Sequence, residues 1–338
     1  MSFPKDNNQI KKRPWLLPLL IAASLILPII SLNIGFYGIS PREVFLFIFK
    51  GAGAVADNVA IIIQNIRLPR IIAAFAIGAG LAVSGSAYQS AFKNPLVSEN
   101  IIGVTQGASL GAALGLLLGL GAFMVQLLAF CGGIVTVTLA FFIGSRARFD
   151  RDVSLVLAGS VMSALALSLL TAIKYLADAN DTLPSIVYWT MGSLAKVNIS
   201  SLAFSLIPIL FGCILLYLLR WKLNILTLDD ENALSLGLNP YLYRLLVVMV
   251  ATFICSAAIC LGGQIGWIGL MLPHLARGLA GADHRKMLPV AALLGGCFLL
   301  IVDNLARSLS AMEIPVGALT ALFGAPFFII LLVKRKPA

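Results

Sequence analysis

Apolar residues run almost unbroken through most of this chain, and polar ones fall in the short gaps between them. The clear apolar stretches are 15–32, 71–92, 101–143, 153–173, 201–219, 245–272, 287–302 and 314–333. A helix needs ~20 apolar residues to cross ~30 Å of hydrocarbon, so the pattern predicts transmembrane helices. Stretch 101–143 is too long for one span and must fold back near Gly119 and Gly121. Stretch 245–272 is interrupted at Gly262-Gly263, so a full span ends there and a shorter helix begins near Gln264. The reading is an all-α polytopic membrane protein of about ten transmembrane helices, one of them short.

Composition supports the bilayer as solvent. Of 338 residues, 60% are hydrophobic and 11% charged, with a mean hydropathy of +0.99. No gap is long enough for a separate soluble domain, which leaves a polar N-terminal segment, 1–14, and one transmembrane domain, 15–338. The basic start lacks a cleavage-site pattern, so Trp15–Leu32 is read as a retained helix. The net charge of +10 would suggest nucleic acid in a soluble protein, but here placement decides. With ten crossings and both termini cytoplasmic, 17 of the 24 Lys and Arg residues lie inside and 7 outside, which by the positive-inside rule favours ten over nine and leaves eight open as the alternative. Cys131, Cys213, Cys255, Cys260 and Cys297 all lie in apolar runs without C-x-x-C spacing, and are read as small buried hydrophobes.

Two stripes of small residues predict close helix crossing. Gly103, Gly107, Gly111, Gly115 and Gly119 recur every fourth residue, as do Ala74, Gly78, Ala82, Ser86 and Ser90. Gln89, Asn94, Thr105, Gln106 and Ser109 flank a turn at Lys93-Asn94-Pro95-Leu96, where Pro95 lacks an N–H and pushes Asn94 out of helical geometry. Irregular polar backbone near membrane depth is tolerated where it is buried in protein or lines water. Gln89, Asn94, Pro95 and Leu96 are therefore candidate pathway residues, the alternative being an ordinary cytoplasmic turn. Segment 174–200 holds the apolar Ile186–Met191, too short to cross; it is either a half-helix capping a vestibule or a surface loop.

Charge sits at span ends. Asp303 and Arg307 are spaced for a helical ion pair, and Arg67 and Arg70 bracket Leu68-Pro69 at the start of the second span. Arginines on the outer face run against the topology rule; they are either snorkelling anchors or a dock for an acidic partner. On the inner side, residues 226–237 are amphipathic, with Asp229, Asp230 and Glu231 suited to a helix N-terminus and Gly237 to a stop. A short cytoplasmic helix there would offer an apolar ridge to a soluble partner. The sequence has no phosphate-binding loop of the G-x-x-x-x-G-K-[ST] type, and His274 and His284 belong to no metal motif. No catalytic and no metal-binding residues are assigned.

Several motifs in order resemble the permease subunits of bacterial iron-chelate and cobalamin ABC importers. They are Arg67-Leu-Pro-Arg70, Gln89, Asn94-Pro-Leu96, Gly103-Val-x-x-Gly107-Ala, Leu157-Ala-Gly159 and Leu234-Ser-Leu-Gly237. The C-terminal third adds Gly266-Trp-Ile-Gly-Leu-Met-Leu-Pro-His-Leu-Ala-Arg277, Asp283-His-Arg285, Asp303-Asn-Leu-Ala-Arg307, Pro315-Val-Gly-x-x-Thr320 and Gly324-x-Pro326. The resemblance implies a homodimer in the bacterial cytoplasmic membrane, with two cytosolic ATPase subunits and one external binding protein. ATP and Mg would bind the partner ATPase and no cofactor this chain. It also implies that Arg67, Arg70 and Arg307 receive acidic residues of the binding protein. Leu226, Asp229, Asp230, Glu231, Ala233, Leu236 and Gly237 would form the ATPase-coupling loop. One departure is Asp229, where the family usually has glycine; its loss is expected to stiffen or shift the loop. Iron-siderophore is the leading cargo, followed by haem, cobalamin and molybdate. The rival reading is a secondary transporter or channel, which usually needs ionisable groups at mid-membrane; here the acids cluster at span ends. A membrane enzyme is third.

Overall fold

The structure is a computed structural model that describes residues 15–35, 37–147, 151–309 and 313–334. The N-terminal segment 1–14 lies outside the described residues. Among those described, the elements are all helical. Seven helices are long and apolar enough to span a membrane. They are α1 (Leu16–Asn33), the column ending in α4 (Leu68–Ala91), α7 (Ala122–Arg146), α8 (Arg151–Leu176), α10 (Ile199–Leu218), α13 (Pro240–Gly262) and α15 (His284–Ala306). Three further helices complete the bundle: α6 (Val104–Leu117), α14 (Ile268–Ala280) and α16 (Val316–Lys334). Six small helices occupy the connections: α2 (Pro41–Lys50), α3 (Asp57–Ile61), α5 (Glu99–Ile102), α9 (Thr182–Met191), α11 (Arg220–Leu226) and α12 (Asp230–Ser235).

Both predicted breaks are present. α6 and α7 are separated by a turn in which Gly119 takes φ +65°, and α13 stops at Gly263, φ +73°. The segment at 174–200 is helical over α9. The second span begins earlier than its hydropathy suggests. α3 runs through a π-helical turn, Ile62–Arg67, into α4, so the column covers Asp57–Ala91. Pro69 normally opens a helix, because its ring clashes with the carbonyl four residues back. The wide π turn, with Leu68 N–H bonded to Ile63 O, lets helix precede it.

α4 is the central column. Its residues from Pro69 to Ala91 are almost all buried, and α10, α13, α14 and α15 pack round it. Small residues set the distances: a Cβ on Gly78 would lie 2.2 Å from Gly295 O of α15. The glycine stripe, by contrast, does not stay on one helix. Gly107, Gly111 and Gly115 face α7, while Gly103 caps α5 at φ +95° and Gly119 lies in the turn. Periodicity continued across a backbone break, so three of the five positions pack along α6 against α7, Gly103 meets Thr136 and Gly159 from the cap, and Gly119 meets nothing within 4 Å. α1, α8 and α10 turn exposed apolar residues outward, Leu25, Leu157, Val161, Ile207 and Phe211 among them, as lipid-facing helices do.

Candidate functional site

Polar side chains gather at the two ends of the α4 column. At one end the three predicted arginines come together, each only 4–5% exposed. Arg67 donates to the carbonyls of Leu32 and Tyr37, closing the turn after α1. Arg70 reaches Asp303 with Nε at 3.0 Å and Nη2 at 2.9 Å, and Glu313 with Nη1 at 2.8 Å. Arg307 donates to Ser31 O at 2.7 Å and lies 3.8 Å from Asp303. Asp303 is fully buried, so its charge is balanced by Arg70 and Arg307 together. The i,i+4 pair expected from sequence is therefore the looser part of a clamp binding α1, α4 and α15. Glu313 is the partly open member, with its side chain 31% exposed.

At the other end α4 stops at the elbow. Asn94 N–H bonds Gln89 O at 3.1 Å, and the Asn94 side chain accepts from Leu96 N–H at 3.0 Å, an Asx turn that leads into Pro95 and Leu96. Gln89 is 3% exposed and donates towards the carbonyls of Gly269 and Leu270 on α14. Arg277 donates to its Oε1 at 3.3 Å. Lys93, at φ +48°, extends Nζ to Asp230 Oδ1 at 2.7 Å, and Arg244 Nη2 meets the same oxygen at 3.1 Å. One carboxylate thus ties the elbow, α12 and α13. Partial burial disfavours the Asp230 anion, but the Lys93 hydrogen bond and the charges of Arg244 and Lys93 outweigh it and hold the carboxyl below its ordinary range. Beside this node the His284 ring bridges Ser90 at 2.6 Å and Asn224 at 2.7 Å, joining α4, α15 and α11.

The expected coupling stretch is divided. Leu226 ends α11 and is 1% exposed, so it belongs to the core rather than to an exposed loop; Leu219-Arg220 already turned the chain. The short helix α12 starts after Asp229, whose φ −64°, ψ 149° any residue adopts, so the missing glycine costs no strain. Gly237, φ +75°, ends the turn. Ala233 faces inward at 1%, while Leu228, Leu234 and Leu236 stand 41%, 58% and 61% exposed. That is an apolar ridge rooted by Asp230. Glu231 lies in the first turn of the helix.

A cavity of about 430 Å³ is lined by Asn100, Thr105, Thr190, Gln264, Trp267 and Gly317, among others. The Thr105 hydroxyl is buried without a partner. Sequence reading missed two features. The Lys93–Asp230 pair spans 137 residues, and no local signal announces it. Glu99 reads as part of a polar loop beside Ser98 and Asn100, yet it is 1% exposed.

These features define a multi-pass helical membrane protein with a charge-locked elbow next to a short helix flanked by exposed leucines. The FecCD transport family matches residues 21–334, and the chain belongs to that family. The molybdate import system permease MolB of Haemophilus influenzae is 39% identical over 92% of this chain and 93% of its own. A probable iron chelatin transport system permease of Helicobacter pylori is 39% identical over 83% and 85%. The hemin transport system permease HmuU of Yersinia pestis is 36% identical over 98% of both. A solved metal-chelate type ABC transporter in an inward-facing conformation superposes with a TM-score of 0.87. It is 38% identical and covers 95% of this chain and 100% of its own. The chain is thus a permease of the ABC importer type, and a multi-pass inner-membrane protein.

Proposed function

We propose that this chain forms, as a homodimer, the membrane path of an ATP-driven importer of a metal chelate or oxyanion, powered by two cytosolic ATPase subunits and loaded by one external binding protein. The observation that carries it is the Asp230 node, which joins the leucine ridge of α12 to the α4 elbow through Lys93. Force applied to that ridge reaches the elbow through a short, charge-assisted hydrogen bond. Ten crossings follow if α6, α14 and α16 each count as one, and both termini then lie in the cytoplasm. Gln89, Asn94, Pro95 and Leu96 act at the inner gate.

The cavity wall of neutral amides, hydroxyls and apolar groups suits a cargo that carries its own ligands and passes without being held tightly. Iron-siderophore leads, and the molybdate relative at 39% identity brings oxyanions beside it. Arg67, Arg70 and Arg307 shape the docking surface for the binding protein, with Arg70 reached by exchange of its Glu313 partner. A second reading, an ATPase-independent secondary transporter, draws on the buried acid Glu99, the kind of group ion coupling requires.

The test is uptake into proteoliposomes containing the chain with its ATPase and loaded binding protein, with labelled ferric siderophore and molybdate compared. The importer reading expects uptake only with hydrolysable ATP. Uptake driven by a pH gradient without ATPase would replace it with the second.

A further inference from the structure

Glu99 opens α5, just beyond the elbow, and its side chain points back into the bundle rather than out of it. It is 1% exposed, and neither carboxyl oxygen has a hydrogen-bond partner. The carboxyl lies against α14 at Gly269, where a Cβ would stand 2.3 Å from Oε2 and 3.1 Å from Leu81 O of α4. Only a residue without a side chain at 269 leaves this room. The ionisable groups that act on it electrostatically are Tyr88 of α4 and Cys255 of α13, both neutral in their ordinary state near pH 7. On α14 the charged and titratable residues are His274 and Arg277, and the Arg277 guanidinium is directed to Gln89. Among the described residues no Lys or Arg forms an ion pair with it, and no charged group figures among the causes of its shift.

A carboxylate in such a place would lack solvent and counter-ion, and the pull of its own backbone N–H is smaller than the burial penalty, which favours the neutral form. Burial raises the Glu99 carboxyl to about 7, from an ordinary value of 4.5. A neutral acid, by contrast, packs there as a glutamine would.

We propose that Glu99 is a proton-binding site coupled to the elbow: it holds a proton while α5 is packed against α4 and α14, and releases it when the elbow opens to water. The proton comes from cytosolic water and returns to it, so the conformational cycle takes up and discharges one proton per subunit without net transport. Only the motion rests on the importer reading; the protonation stands on the packed geometry alone. The sign follows from the two states. The packed form binds a proton that the open form gives up, so packing is strongest at low pH and weakens as pH rises from about 4.5 to about 7.

The test uses the purified full chain in lipid nanodiscs, with no partner. Infrared spectroscopy should show a protonated carboxyl carbonyl band at pH 6 that declines as pH rises through neutrality and is missing in Glu99→Gln. A bimane probe on Leu96→Cys should report elbow opening that grows several-fold between pH 5 and pH 8 in wild type and stays flat in Glu99→Gln. Should that variant fail to assemble, the wild-type band and its titration, with Glu99→Asp retaining it, still decide the matter. An unchanged band in Glu99→Gln, or a probe response to pH that survives the substitution, overturns the proposal. So does loss of the band on adding potassium at constant pH, which would make the occupant a metal cation.

Discussion

Lys93 Nζ lies 2.7 Å from Asp230 Oδ1, so the residue that turns the chain out of the central helix is bonded to the one that begins the ridge helix. Arg244, 1% exposed, holds the same oxygen from α13. Replacing Lys93 by Met breaks the link and leaves Asp230 its second partner. The pair is part-exposed, so the stability loss should be ~0–1 kcal/mol. The coupling loss should be larger: uptake per ATP hydrolysed falls several-fold while hydrolysis continues, and Lys93→Arg restores it. Equal ratios in Lys93→Met and wild type would remove the linkage. Since the Asp230 carboxyl is held low, the bond is fully present at neutral pH and is lost only as pH falls below the ordinary aspartate range of ~4.

The buried clamp at the other end separates folding from docking. Arg70→Ala leaves Asp303 buried with only the more distant Arg307, a change of ~3–5 kcal/mol for a broken buried pair. It should appear as a large fall in thermal midpoint in detergent. Glu313→Gln keeps the clamp on Asp303 and removes the negative charge paired with one edge of Arg70, leaving only a neutral acceptor there. Binding-protein affinity should then rise, more so at low ionic strength where exposed charge is less screened. A Glu313→Gln variant that docks like wild type at every salt concentration would detach Arg70 from docking.

The span pattern and the breaks were legible because hydropathy and glycine are local signals: Gly119 and Gly263 both take positive φ where the apolar runs had to end. The helix before Arg67 was not, since Asp57, Asn58, Gln64 and Asn65 mask it and its π turn answers to Pro69. Helix α2 carried a readable cue, the Ser40-x-x-Glu43 capping box, whose serine and glutamate bond each other's backbone N–H. The structure brings the three arginines to one end of α4, but their burial depends on Asp303, Glu313 and the carbonyls of α1, partners distant in sequence. Glu99 was illegible for the same reason: the space that hides it is made by Gly269, 170 positions further on.

Helix spacing round α4 predicts a sharp contrast between two glycines. At Gly78 an added methyl would stand 2.2 Å from the Gly295 carbonyl, and two backbones must part to admit it. Gly78→Ala should cost ~1–3 kcal/mol as overpacking. Gly278, in α14, has nothing within 4 Å of its would-be Cβ; alanine there gains helix propensity of up to ~1 kcal/mol. Thermal unfolding in one detergent should lower the midpoint of the first variant and keep or raise that of the second. A Gly78→Ala protein as stable as wild type would mean that α4 and α15 sit further apart.

The leucine ridge offers the cleanest separation of partner from fold. Leu234 and Leu236 are 58% and 61% exposed, whereas Ala233 between α12 and the bundle is 1% exposed. Replacing both leucines by serine removes apolar surface from mostly water-facing positions, so the thermal midpoint should shift by only a few degrees, as exposed sites usually change stability by ~0.5 kcal/mol or less. Burying a leucine against a partner contributes ~1.5–3 kcal/mol, so losing two should weaken ATPase association by at least ~10-fold to 100-fold. Surface plasmon resonance with the immobilised chain in nanodiscs measures this directly. Undiminished association would move the coupling surface away from α12; a collapsed midpoint would show that the ridge packs against the bundle instead of meeting a partner.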